Sequence, residues 1–186
     1  MEIRLAADLQ MDSIVDGKGI RTVIWTQGCK HKCPKCHNPE TWSFNGGSLV
    51  DVKYIIDEMN NLDGQDGITF SGGDPFYQPK ECAYLAKHAH SINLNVWCYT
   101  GFTYEQLIIL GKKNKDIMDF LEQIDVLIDG PYIDSLHSLD ILYRGSKNQR
   151  IIDVQKSLED NKVIELDYDK KERKTNFGRS NNKLYI

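Results

Sequence analysis

Cys29, Cys33 and Cys36 stand in one short run, Cys29-Lys30-His31-Lys32-Cys33-Pro34-Lys35-Cys36. This C-x-x-x-C-x-x-C spacing lets three thiolates from a single loop reach one metal centre. Having three of them matters for the chemistry. Four protein ligands close a structural site, whereas three leave a coordination position for a reacting molecule. Two centres suit the spacing. One is a zinc ion completed by His31 or His37. The other is an iron–sulfur cubane that exposes one iron to a substrate or cofactor. Cys82 and Cys98 stand apart in apolar surroundings and are expected to pack as small hydrophobes.

A second set of residues follows the apolar run Ile68-Thr69-Phe70, namely Ser71-Gly72-Gly73-Asp74-Pro75. Paired glycines let backbone approach a ligand closely and leave amides and carbonyls bare, which suits the amino end of an amino-acid-like cofactor. Taken alone, the same residues read as an ordinary turn. Tyr99-Thr100-Gly101 and Asp129-Gly130-Pro131 also end hydrophobic runs.

These groups need elements to hold them. The run 20–26 is β-branched and aromatic and reads as a buried strand. Ser48 reads as a helix N-cap with Asp51 three positions on, and Val52, Ile55, Ile56 and Met59 recur at helical spacing. Pro79 opens a helix carrying Cys82, Leu85, Ala86 and Ala89. Strands are expected over 68–70, 93–99 and 126–129, and helices over 104–110 and 117–121. The repeated strand–loop–helix order implies parallel strands with helical crossovers. Its polar residues fall at the carboxyl ends of the strands, where α/β folds build sites. A complete eight-stranded barrel takes about 250 residues. With 186, the chain is expected to form an α/β fold, a partial, laterally open (β/α) barrel. Residues 1–160 would form that domain. Residues 161–186 would be a polar C-terminal extension, flexible or loosely docked.

Bulk properties narrow the function classes. A net charge of −4 and a pI near 5.7 argue against general nucleic-acid binding. No apolar run is long enough to span a membrane, and Met1-Glu2-Ile3-Arg4-Leu5 has no secretory character. A cytoplasmic location is expected, where thiols stay reduced and free for metal. Five cysteines, an odd number, argue against a disulfide framework.

Read in order, these segments resemble the radical S-adenosylmethionine superfamily, and within it the family of activating proteins of anaerobic ribonucleoside-triphosphate reductase. The cysteine loop followed by Ser71-Gly72-Gly73-Asp74-Pro75 carries the resemblance. It is joined by Asp16-Gly17-Lys18-Gly19-Ile20-Arg21, Cys36-His37-Asn38-Pro39-Glu40-Thr41-Trp42, Tyr99-Thr100-Gly101, Asp125-Val126-Leu127-Ile128-Asp129-Gly130 and Arg144-Gly145-Ser146-Lys147-Asn148-Gln149-Arg150. The match they mark out covers roughly residues 10–154. Each segment is modest evidence alone, and the ordered set is specific.

The resemblance implies a [4Fe–4S] cluster on Cys29, Cys33 and Cys36, with its fourth iron chelated by S-adenosylmethionine. Reductive cleavage of that cofactor would give methionine and a 5′-deoxyadenosyl radical. The radical would take hydrogen from a glycine in the large reductase subunit and leave a glycyl radical there. A flavodoxin-like protein is the implied electron donor. Gly72, Gly73 and Asp74 are implied at the methionine end of the cofactor, and Lys35, Cys36 and His37 against its adenine or ribose. Asp129 is either a hydrogen-bond partner of the cofactor or a helix or turn cap. Arg21 would hold a carboxylate or the partner peptide, or lie on the surface. Arg144 to Arg150 would help dock the reductase or form a solvated loop. On this view Gly73→Val blocks cofactor binding and spares the cluster.

The sequence departs from the superfamily pattern at three places. Lys35 stands where many members place an aromatic residue. Asp74 stands where many carry glutamate. Pro131 replaces a lysine common in relatives that activate pyruvate formate-lyase, which favours the reductase branch. The other substrates open to such a chain are a different glycyl-radical enzyme or a small molecule. A small-molecule enzyme needs extra elements to close its cavity, and this chain has little spare length.

Overall fold

The computed structural model describes residues 1–169. β-Branched and aromatic runs form the centre of one mixed sheet. It contains β1 (Glu2–Leu5), β2 (Gln10–Ser13), β3 (Arg21–Thr26), β4 (Ser48–Asp51), β5 (Gly67–Gly72), β6 (Asn95–Tyr99), β7 (Val126–Asp129) and β8 (Arg150–Asp153). The order is β4-β1-β3-β5-β6-β7-β8, with β2 also paired to β3. β3, β5, β6 and β7 run parallel. They are the four strands that the sequence predicts. Antiparallel strands flank them on both sides. The order ends at β4 and β8 and does not pair back on itself, so the sheet is an open, partial barrel.

The helices are α1 (Val52–Asn60), α2 (Pro79–Ser91), α3 (Tyr104–Gly111), α4 (Lys115–Leu121) and α5 (Val154–Asp160). Strand alternation divides the interior in two. Ile24, Phe70, Val96, Cys98, Leu127 and Ile152 point into the main core with the helices. Trp97, Val126, Ile128 and Ile151 point the other way, against Tyr99, Tyr143, Leu166 and Tyr168. Central strands buried on both faces explain why their sequences read as continuous apolar runs. Cys82 and Cys98 are fully buried in the main core, as expected, and burial pushes both thiols well above their ordinary pKa.

Three local expectations change. Ser48 is not a helix cap. It pairs with Leu5 in β4, and Asp51 caps α1 by accepting from the Lys53 amide. The backbone ladder from Glu2↔Asp51 to Leu5↔Ser48 takes the residues that local capping rules would have placed in the turn. Arg21 holds no carboxylate and is not on the surface. It is fully buried, and its five N–H donors meet Thr69 Oγ1, the Lys18 carbonyl, Asn95 Oδ1 and the Ile68 and Asn95 carbonyls. Its guanidinium also lies 5.2 Å from the Trp97 ring centroid. Finally, the beginning of the C-terminal extension is tied down. Leu166 donates to the Ile151 carbonyl, Asp153 donates to that of Ile164, and Asp169 accepts from the Leu142 amide and from Arg144. The rest of that extension, 170–186, lies outside the described residues.

Candidate active site

The register aligns the carboxyl ends of the parallel strands. Thr26 sits opposite Gly72, Phe70 opposite Cys98 and Tyr99 opposite Ile128. Residues 27–29, 72–74, 100–101 and 130 therefore emerge on one edge, around a cavity of about 540 Å³. All three loop cysteines line it, with His31, His37, Gly72, Gly73, Tyr99 and Thr100.

The loop is held at both ends. Gly28 has φ +103, a conformation that favours glycine. Its amide donates to the Thr41 carbonyl, and the Cys29 amide donates to that of Trp42. Within the loop, Lys32 and Lys35 adopt positive φ, uncommon for side-chain-bearing residues. The Cys36 amide donates to the Cys33 carbonyl, closing a turn, and Cys36 Sγ accepts from the Asn38 amide. All five cysteines are free. Burial pushes the Cys29 thiol up to about 11, opposed by the amides of His31 and Lys32. Burial also raises Cys33, opposed by the Tyr132 backbone. Iron binding must therefore expel protons from this loop.

The glycine pair has a structural reason of its own. A Cβ on Gly73 would lie 2.5 Å from the Gly28 carbonyl oxygen, and one on Gly72 would lie 2.6 Å from that of Thr26. The Gly73 amide donates to the Thr26 carbonyl at 2.7 Å, and the Asp74 amide to that of Gly28 at 2.9 Å. The end of β5 thus packs backbone to backbone against the root of the cysteine loop. This changes the expectation for Gly73→Val. The added carbons would push Gly28 away and displace Cys29, so the variant should lose iron as well as cofactor affinity. Iron analysis beside a binding titration checks this, and full iron content with lost cofactor binding would contradict it.

Lys35, Asp74 and Asp129, expected at the cofactor, do not line the cavity. The positive φ of Lys35 accompanies an outward side chain, which pairs with Asp134 at 2.8 Å and is 77% exposed. Asp129 is buried and accepts from the Tyr104 amide and from Arg150, which also grips Glu105. It anchors the start of α3 to β8. The Glu105 carboxyl is held down at about 2 by this Arg150 hydrogen bond. Asp74 is buried behind His31.

Other residues at the cavity come from a distant loop. His37 packs against Tyr132 at 4.7 Å and His137 at 5.9 Å between ring centroids, and all three line the cavity. They form an aromatic group next to Cys36 that a planar base would suit. Arg144 also lines the cavity, and its buried Nε has no hydrogen-bond partner among the described residues. A buried orphan donor calls for an acceptor, and a cofactor carboxylate would provide one. The thiol set, the aromatic group and this donor together fit a three-cysteine cluster with a bound amino-acid-derived nucleoside.

Comparison with known proteins agrees with this geometry. The family described as a 4Fe-4S single cluster domain matches residues 15–152. The anaerobic ribonucleoside-triphosphate reductase-activating protein of Salmonella typhimurium strain LT2 is 33% identical over 144 residues, covering 73% of this chain and 90% of that protein. The protein of the same name from Enterobacteria phage T4 is 33% identical over 143 residues, covering 74% of this chain and 86% of its own length. The chain belongs to this family of activating proteins. Its Escherichia coli K12 relative is 32% identical over 145 residues, at 73% and 90% coverage. Among solved structures, QueE from Escherichia coli aligns at a TM-score of 0.46 and 14% identity, covering 55% of this chain and 54% of QueE. The matching family model is that of a domain holding a single [4Fe–4S] cluster. No helix among the described residues is long and apolar enough to cross a membrane.

Proposed function

We propose that this chain activates an anaerobic ribonucleoside-triphosphate reductase by generating a radical on a glycine of its large subunit. The observation that carries this reading is the meeting of Cys29, Cys33 and Cys36 with Gly72 and Gly73 on one cavity at the edge of an open sheet. When bound, the cluster and S-adenosylmethionine supply the reductive cleavage that yields the hydrogen-abstracting radical.

The chain's own residues hold and shield the site. Cys29, Cys33 and Cys36 are the proposed cluster ligands. Gly72 and Gly73 would bring main chain free of side chains close to the methionine end, and Arg144 Nε would offer a donor to a carboxylate. His37, Tyr132 and His137 would flank the base. Val15 and Leu139 line the cavity yet are 68% and 92% exposed. These apolar lips suit a glycine-bearing segment of the partner, which would cover the opening and keep water out. Residues 1–160 form the catalytic unit in this reading. A flavodoxin-like donor and a cytoplasmic location accompany it, in keeping with five free thiols.

The test is anaerobic mixing with a candidate reductase, S-adenosylmethionine and a reductant. A glycyl-radical doublet in electron paramagnetic resonance is expected. Cofactor cleavage without that doublet would point to a small-molecule substrate instead.

A further inference from the structure

Asp74 immediately follows the glycine pair, yet its carboxylate has no room for a ligand. It is 1% exposed. Oδ1 accepts from the Phe76 amide at 3.0 Å and from Thr100 Oγ1 at 3.1 Å. Oδ2 accepts from His31 Nε2 at 2.7 Å, from Thr100 Oγ1 at 2.9 Å and from the Gly101 amide at 3.0 Å. A carboxylate offers about four lone-pair sites, and these four protein donors occupy them. An ammonium group arriving from a cofactor would have to break one of these bonds inside a buried pocket.

The seat of His31 is also built for it. The ring lies where a Cβ on Gly101 would fall, 2.5 Å from its Cδ2. It meets Phe102 edge-on at 4.5 Å, with Tyr77 at 6.1 Å. His31 is the middle residue between Cys29 and Cys33. Its bond to Asp74 is therefore a cross-link between the cysteine loop and the ends of β5 and β6.

We propose that His31, Asp74 and Thr100 form a strap that fixes the cysteine loop over the strand ends, so that Asp74 is a positioning residue acting through His31 and not a contact to the bound cofactor. Loss of a partner that orients metal-binding groups typically costs about 10–100-fold in metal affinity. The strap rests on the cluster assignment above.

The test compares anaerobically reconstituted parent, His31→Phe, His31→Gln, Asp74→Asn and the His31→Phe/Asp74→Asn double variant. Readouts are the rate of iron loss to a ferrous chelator, the resonance spectrum of the reduced cluster, and S-adenosylmethionine affinity. His31→Phe keeps the ring packing and removes the donor, and should release iron roughly tenfold faster, as expected for loss of a ligand-orienting partner. His31→Gln retains an N–H donor and should recover most of that loss. In iron release the double variant should fall short of the product of the two single effects, because both changes weaken the same His31–Asp74 bond. The cluster spectrum should shift in the same way in both single variants. Asp74→Asn that weakens cofactor binding while iron release and spectrum match the parent would overturn the proposal. So would multiplicative effects in the double variant. If His31→Phe does not fold, His31→Leu against His31→Gln separates loss of the donor from loss of side-chain volume. A parent that binds no cluster would reject the cluster assignment itself, a result distinct from failure of the strap.

Discussion

Cys33→Ala is expected to leave a folded protein that holds no cluster and cleaves S-adenosylmethionine at background rate. Cys33 is half-buried and borders the cavity from the middle of the loop. Without its thiolate, two protein ligands remain, too few to retain a cubane against water and competing thiols. The side chain is not part of the hydrophobic core, so the fold should change by less than about 1 kcal/mol, as for most sites outside the core. Iron quantitation, visible absorbance and 5′-deoxyadenosine yield measure the outcome. A variant that forms 5′-deoxyadenosine as fast as the parent would refute the ligand assignment. The parent should also show a pH dependence with a definite sign. Burial holds protons on Cys29, with its pKa near 11, and on Cys33. Iron must displace those protons, so cluster reconstitution should become more favourable as pH rises from 7 towards 9 (roughly the range below the raised thiol values).

Arg21→Met should cost about 3–5 kcal/mol, the range for breaking a buried charged network. That is a large part of the roughly 5–15 kcal/mol that holds a domain together. Burial lowers the Arg21 pKa to about 10, so the group is still charged at neutral pH. No carboxylate pairs with it among the described residues. Carbonyl and hydroxyl dipoles stabilise it instead. Methionine fills most of the volume but leaves Thr69, Asn95 and the Lys18 carbonyl without their donor. Arg21→Lys keeps the charge but has three donors on one atom, so it should fall between parent and Met. Denaturant unfolding of the three proteins would show the order. A Met variant with the parent's midpoint would mean that this network contributes little.

The strands legible in the sequence were those buried on both faces, and the helices α1 to α4 were legible from their apolar spacing. β3, β5, β6 and β7 announced themselves because both of their faces are apolar. β1, β2, β4 and β8 are four residues each, and their existence depends on neighbours distant in sequence. No local pattern marks them, which is why Ser48 read as a cap. The cavity lining was legible where its residues are contiguous, as in the cysteine loop and Gly72-Gly73. It was not legible where the fold imports side chains. Tyr132, His137 and the orphan Nε of Arg144 reach the cavity from a loop some hundred residues past Cys36. The resemblance places Asp74 and Asp129 at the cofactor, with a helix or turn cap as the other reading of Asp129, and gives Arg21 a carboxylate, the partner peptide or the surface. Their burial and full hydrogen bonding could be known only once the strands were assembled.

The missing Cβ of Gly73 has a wider consequence. Since that glycine lies flush on Gly28, the segment that bears the three cysteines and the segment that bears the glycine pair share one seam of main chain. Neither can drift or be redesigned alone. Transplanting the cysteine-bearing loop into another scaffold would fail to yield a working centre unless the neighbouring bend travelled with it as a matched pair.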